Sequence, residues 1–193
     1  MRSSSFMMAL AASAIAAAAA HGQAMDQDFR TLCVSHKGEA LAALATAEAA
    51  GWITLPSGTT PPTLPGGVKL KTFAMRLHSV GAATHLLVVG EGEARGDPKA
   101  VGGGLTNVRV CFVASPQSDS AGVAAEKAAL QGEPTFRDPQ ASVYLVNQAT
   151  GRVSPLKGRA AAAELKAGAL AAVMLVDTPQ ATAFNYQVPE PVK

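Results

Sequence analysis

Residues 55–67 (LPSGTTPPTLPGG) divide this chain into two regimes. The prolines lack the backbone N–H that a helix interior or an inner strand requires, and the glycines favour neither. The segment reads as a long connection rather than a mobile flap. Before it the apolar spacing is helical; after it the pattern is that of strands.

Residues 26–50 read as helix, broken at Lys37-Gly38. Phe29, Leu32, Cys33 and His36 fall at i, i+3, i+4 and i+7 and so share a face. Residues 39–50 (EALAALATAEAA) are strong helix formers. Leu41, Leu44, Ala45 and Glu48 make their expected inner face. Gly51 suits the left-handed position that ends a helix, and Trp52 then packs back on the last turn.

From Val68 the alternation begins. Phe73, Met75 and Leu77 face one way, and Thr72, Arg76 and His78 the other. A turn at 80–83 leads to a second strand at 84–89, giving a hairpin. Residues 90–104, dense in glycine and charge, read as loop. The strand 105–114 (LTNVRVCFVA) sends Val108, Val110 and Phe112 to one side. Asn107, Arg109, Cys111 and Val113 go to the other.

A second helix spans 119–131, with Ser118 or Ser120 as its cap and Val123, Lys127 and Leu130 near one face. Residues 134–139 form a loop and 142–148 a strand. A short Ala-rich helix at 159–166 is stopped by Gly168. The strands 171–177 and 183–188 make a last hairpin. This order predicts an α+β fold: a mostly antiparallel sheet of about six strands with two main helices on one face. It also suggests an αβββ unit used twice.

Residues 1–24 (MRSSSFMMALAASAIAAAAAHGQA) read as a secretory signal peptide: one early Arg2, an apolar run, then small residues. The run is mostly alanine, a poor bilayer span, which takes about 20 strongly apolar residues. Cleavage after Ala20 or Ala24 fits the small-residue rule. The second is preferred because it leaves Asp26 and Asp28 at the new N-terminus. No cysteine stands directly after the run, which argues against a lipid anchor. The expectation is a periplasmic or secreted chain with one domain at 25–188, a fraying tail at 189–193, and no membrane span after cleavage.

Sixteen Lys plus Arg against 14 Asp plus Glu give a net charge of +2, without a basic run. Nucleic-acid binding through phosphates needs clustered cations, as does an amphipathic membrane-surface helix. The two cysteines, Cys33 and Cys111, allow one pairing, and in an exported chain such a pair reads as a disulfide. It would tie the first helix to the third strand and stabilise by about 3–4 kcal/mol through loop closure.

Catalytic signals are sparse. His36 beside Cys33 would make a thiol–imidazole pair only if the thiol were free. A partly buried structural histidine is the simpler reading. His78 and His85 end and begin the two strands of a hairpin, and two imidazoles can hold a metal. Glu91 or Glu93 would have to fold back as a third ligand. No HExxH-like spacing supports that site, so no metal or other cofactor is expected. The run GEGEARG at 90–96 only superficially resembles a dinucleotide loop: two acids sit inside it and no βαβ unit follows. GxSxG, P-loop and SxxK signatures are missing. Arg109 beside Cys111 calls for an acidic partner, Glu48 or Asp28, unless its stem packs while its head reaches water. Trp52 reads as a helix-end core anchor rather than a stacking platform.

The segments FRTLCV (29–34), AAGW (49–52) and RVC (109–111), behind an exported leader, resemble an uncharacterised group of small exported proteins of Gram-negative bacteria. That resemblance implies export, a disulfide and a single domain, and carries no activity. The expected function is a non-catalytic binding or envelope-accessory protein, its partner an envelope protein or a small ligand. The alternative is an envelope hydrolase, with or without a metal, using His78, His85 and nearby carboxylates. A homodimer formed by pairing an edge strand stays open.

Overall fold

A computed structural model describes residues 25–56, 58–65, 67–95 and 105–190. The leader, both cleavage sites and the glycines at 102–104 lie outside the described residues. Helical residues 25–29 run into a π-helical turn, Arg30–Val34 (α1). The break falls where the sequence places it. Lys37 (φ 51°) and Gly38 (φ 72°) turn the chain, and the Gly38 N–H returns to the Cys33 carbonyl at 3.0 Å. Helix α2 (Ala40–Ala49) follows. At its end Trp52 N–H donates to Ala47 O and Gly51 N–H to Glu48 O, both at 3.0 Å, with Gly51 at φ 82°. This is the left-handed glycine cap with the expected return of Trp52.

Eight strands form one antiparallel sheet: β1 (Ile53–Thr54), β2 (Lys69–Val80), β3 (Ala83–Arg95), β4 (Leu105–Ser115), β5 (Phe136–Arg137), β6 (Ala141–Asn147), β7 (Leu170–Asp177) and β8 (Thr182–Pro189). Helix α3 (Ser120–Leu130) precedes β5, and α4 (Gly158–Lys166) lies between β6 and β7. The strand order is β1-β2-β3-β4-β8-β7-β6-β5. Two three-strand meanders, β2-β3-β4 and β6-β7-β8, meet at the β4–β8 ladder, and each follows a helix. The strands beyond the expected six are two-residue pairings at the two edges.

Three local expectations are corrected. Residues 90–95 belong to β3 rather than to a loop. There the β2 backbone bulges between Leu70 and Thr72 and closes on β3. A Cβ on Gly90 would lie 2.0 Å from Thr72 O, and one on Gly92 2.5 Å from Lys69 O, so only glycine fits. The cap of α3 is Asp119, whose carboxylate accepts from Gly122 N–H at 2.9 Å, and not a flanking serine. The tail begins paired: β8 extends to Pro189, and Glu190 N–H donates to Asn107 O at 2.9 Å.

Side chains sort onto the two sheet faces by parity. Leu87, Val89, Cys111, Val113, Val173, Phe184 and Tyr186 pack under α1, α2 and α3, against Phe29, Leu32, Ala43, Ala47, Val123 and Leu130. The Phe29 ring meets Phe184 edge-on at 5.4 Å. The inner face of α2 differs from the expected one, since Leu41 is 85% exposed while Ala43 and Ala47 are fully buried. Two alanines one turn apart let the helix approach the sheet closely, which leucines would prevent.

Among the described residues the opposite face carries no helix over its first half. The connection from β1 to β2 lies across it as a strap, placed there by Leu55, Leu64, Pro65 and Val68. Leu64 and Val68 are buried there with Met75, Val88, Val110 and Phe112. Over the second half α4 supplies the cover, with Ala161 against Leu145 and Leu170. Among the described residues no helix is long and apolar enough to cross a membrane.

Candidate functional site

The helix face gathers most of the residues singled out from sequence. Cys33 and Cys111 form a disulfide across 78 positions, joining α1 to β4 at a Cα separation of 5.3 Å. His36, in the turn after α1, shares a hydrogen bond with the Thr46 hydroxyl on α2 (2.8 Å), a structural role that fastens the turn to that helix. Arg109, on the same side of β4 as Cys111, pairs with Glu39 at the start of α2 and not with Glu48 or Asp28. The break at Lys37-Gly38 explains this partner, because it brings the start of α2 over β4. Trp52 is 5% exposed, the anchored position expected, and its ring lies 5.0 Å from that of His78.

His78 and His85 stand directly opposite in the β2–β3 register, so they share a sheet face. They do not share a role. His85 is 2% exposed and donates from Nδ1 to Asp28 at 2.8 Å. His78 packs on Trp52, and its Nδ1 is buried without a hydrogen-bond partner. Glu93 is taken by Lys71 at 2.7 Å, and Glu91 is exposed. Among the described residues no three His, Cys, Asp or Glu are placed to hold a metal ion.

Beside these lies a cluster the sequence did not announce. Arg30 bonds Asp26 at 3.0 Å and reaches Glu126 of α3 at 2.9 Å, an ion pair that lacks hydrogen-bond alignment. Glu126 is 1% exposed. Burial, reinforced by a hydrogen bond with the Asp26 carboxyl, pushes it up to about 8 against the opposing pull of Arg30. The available signal was positional: Glu126 occupies the stripe of Val123 and Leu130, where Lys127 was expected to point.

The strap face holds a second surprise. β8 is the innermost strand of the second meander and is buried along nearly all its length. Its helix-side residues, Phe184, Tyr186 and Val188, are apolar, but Asn185 (0% exposed) and Gln187 (9%) point to the strap side. The Asn185 and Gln187 side-chain amides both donate to the Pro65 carbonyl, at 3.4 and 3.3 Å. Asn185 Oδ1 is buried without a partner. Asn185 sits between Phe112 of β4 and Met174 of β7 in the register. The sequence marks AFNYQV only as a strand of the last hairpin; in the structure both of its faces are covered.

No family model matches the chain, and neither curated proteins nor solved structures give a significant match.

Proposed function

We propose that this chain is an exported, non-catalytic domain of the periplasm or the secreted fraction that binds a partner in the cell envelope. On this reading it belongs with the group of small exported Gram-negative proteins it resembles. One observation carries the proposal: most of the reactive side chains singled out on the helix face are spent on structure. Both cysteines are in the disulfide, His36 holds Thr46, His85 holds Asp28, and Arg109 holds Glu39. Such pairs fasten the helical segments to one another and to the sheet. A disulfide across so long a loop suits an oxidising compartment.

A hydrolase using His78 and His85 is the competing reading. In its favour the two imidazoles stand opposite one another, and His85 is already oriented by a carboxylate, as ligand and catalytic histidines usually are. One experiment separates the two. The protein is purified from the periplasm of a Gram-negative host, and its intact mass is measured before and after reduction and alkylation, with metal analysis. A chain beginning at Met25, two hydrogens light until reduced and free of metal, supports the binding domain. Alkylatable thiols without reduction, or stoichiometric zinc, overturn it.

A further inference from the structure

Asn185 and Gln187 are the costliest residues on the strap face. A carboxamide in the middle of a sheet, closed in on both sides, is tolerated only when its hydrogen bonds are made. Here both amides donate to a single acceptor, Pro65 O, at the long end of hydrogen-bond range. Asn185 Oδ1 accepts nothing, although the residue is fully buried. The pair therefore presents donors that are poorly used and one acceptor that is unused.

What covers the pair is chemically telling. The strap inserts Leu64 into the apolar cluster of Met75, Val88 and Phe112 and lays the next carbonyl on the amides. The residue supplying that carbonyl is proline, which has no N–H to give. A peptide with an ordinary residue in place of Pro65 would bring the same side chain and the same carbonyl, and an N–H donor besides.

We propose that Asn185 and Gln187 are the reading groups of a peptide-binding seat, with Leu64-Pro65 of the strap lying in it as the chain's own weak stand-in. The ligand is an extended segment of a partner protein that presents an apolar side chain followed by a non-proline residue. Its carbonyl accepts from the two amides, its N–H supplies the donor that Asn185 Oδ1 lacks, and its apolar side chain takes the place of Leu64. Binding displaces the strap. This inference rests on the binding-domain reading and specifies the partner's chemistry.

The test uses the full mature chain and two blocked synthetic peptides, acetyl-TLAGG-amide and acetyl-TLPGG-amide. Affinity is followed by the side-chain amide resonances of Asn185 and Gln187 in ¹⁵N-labelled protein. L64A, which loosens the strap's anchor, is titrated beside the wild type. Wild-type protein, whose folding is not in question, is also run at millimolar peptide.

The alanine peptide is expected to bind about tenfold more tightly than the proline peptide, the worth of one hydrogen bond. L64A should bind both more tightly than the wild type. N185L in the L64A background should abolish the difference between the peptides. Equal affinities for the two peptides, binding unaffected by N185L, or no resonance shift in the wild type at millimolar peptide each overturn the seat. A concentration-dependent dimer formed by strap exchange in place of peptide binding also overturns it, since the occupant is then a second copy. Failure here with the expected intact mass leaves the binding-domain reading standing. Stoichiometric zinc removes that reading whatever the peptides do.

Discussion

On one face of the sheet three helices are fastened by a covalent bond, aromatic packing and ion pairs; on the other a strap without regular structure lies on an apolar floor. The helix face joins α1 to β4 by the disulfide, the turn after α1 to α2 by His36–Thr46, and α1 to α3 by Arg30–Glu126. The strap face has Leu64, Val68 and two long amide bonds to one carbonyl. Equal burial thus conceals unequal fastening. Leu64 is 3% exposed and Leu32 2%, yet Leu32 sits one residue from a cross-link and Leu64 one residue from a proline. The helix face is built to stay shut, and the strap face is closed by contacts that can be exchanged.

Removing the covalent fastening should have the largest effect. C33S with C111S should destabilise by about 4 kcal/mol in denaturant unfolding, with a steeper slope because the unfolded chain is no longer cross-linked. A loss below about 1 kcal/mol would mean that helix packing alone holds this face.

Next comes Glu126. Its carboxyl is raised to about 8 when folded, from 4.5 in an ordinary environment. The fold therefore favours the protonated form, and the associated stability is fully present below pH 4.5. It is lost as pH rises from 4.5 to 8, at a cost on the order of a few kcal/mol. E126Q should flatten that part of the stability–pH curve. An unchanged slope would show that the proton resides elsewhere in the Asp26–Arg30–Glu126 cluster.

L64A should cost about 2 kcal/mol, the low end for a buried leucine, because the strap can settle. Amides of the strap should also exchange with solvent well before those of β4 and β8. Simultaneous exchange would erase the contrast between the faces. Smallest of all, L41K should shift stability by no more than about 0.5 kcal/mol, as the side chain is 85% exposed.

Much of this organisation was legible from residue spacing. Alternation placed Val108, Val110 and Phe112 opposite Arg109, Cys111 and Val113, and Gly51-Trp52 marked the end of α2. What escaped was set by contacts between distant segments. Alanine carries little hydrophobic signal, so the packing of Ala43 and Ala47 could not be told from that of Leu41 by pattern. Gly90 and Gly92 looked like loop residues because the reason for them, the bulged backbone of β2 at Lys69–Phe73, lies in the preceding strand. Asn185 and Gln187 went unremarked because nothing in AFNYQV reveals that the strap returns from 120 residues upstream. Glu126 and Asn185, the buried polar groups least explained by local sequence, are the ones that distinguish the two faces.

The β4–β8 ladder also sets a timetable. It joins Val108–Ser115 to Thr182–Pro189, so β8, made well after β4, lies between β4 and β7. A growing chain can complete the first meander and bring Cys33 to Cys111 early. Until β8 arrives, the inner edges of β4 and β7 remain open ladders facing each other across a missing strand. Such long-range closure is slow, and open edges recruit whatever strand is nearest. During that interval assembly and aggregation compete for the same backbone groups, and the docking of β8 decides between them.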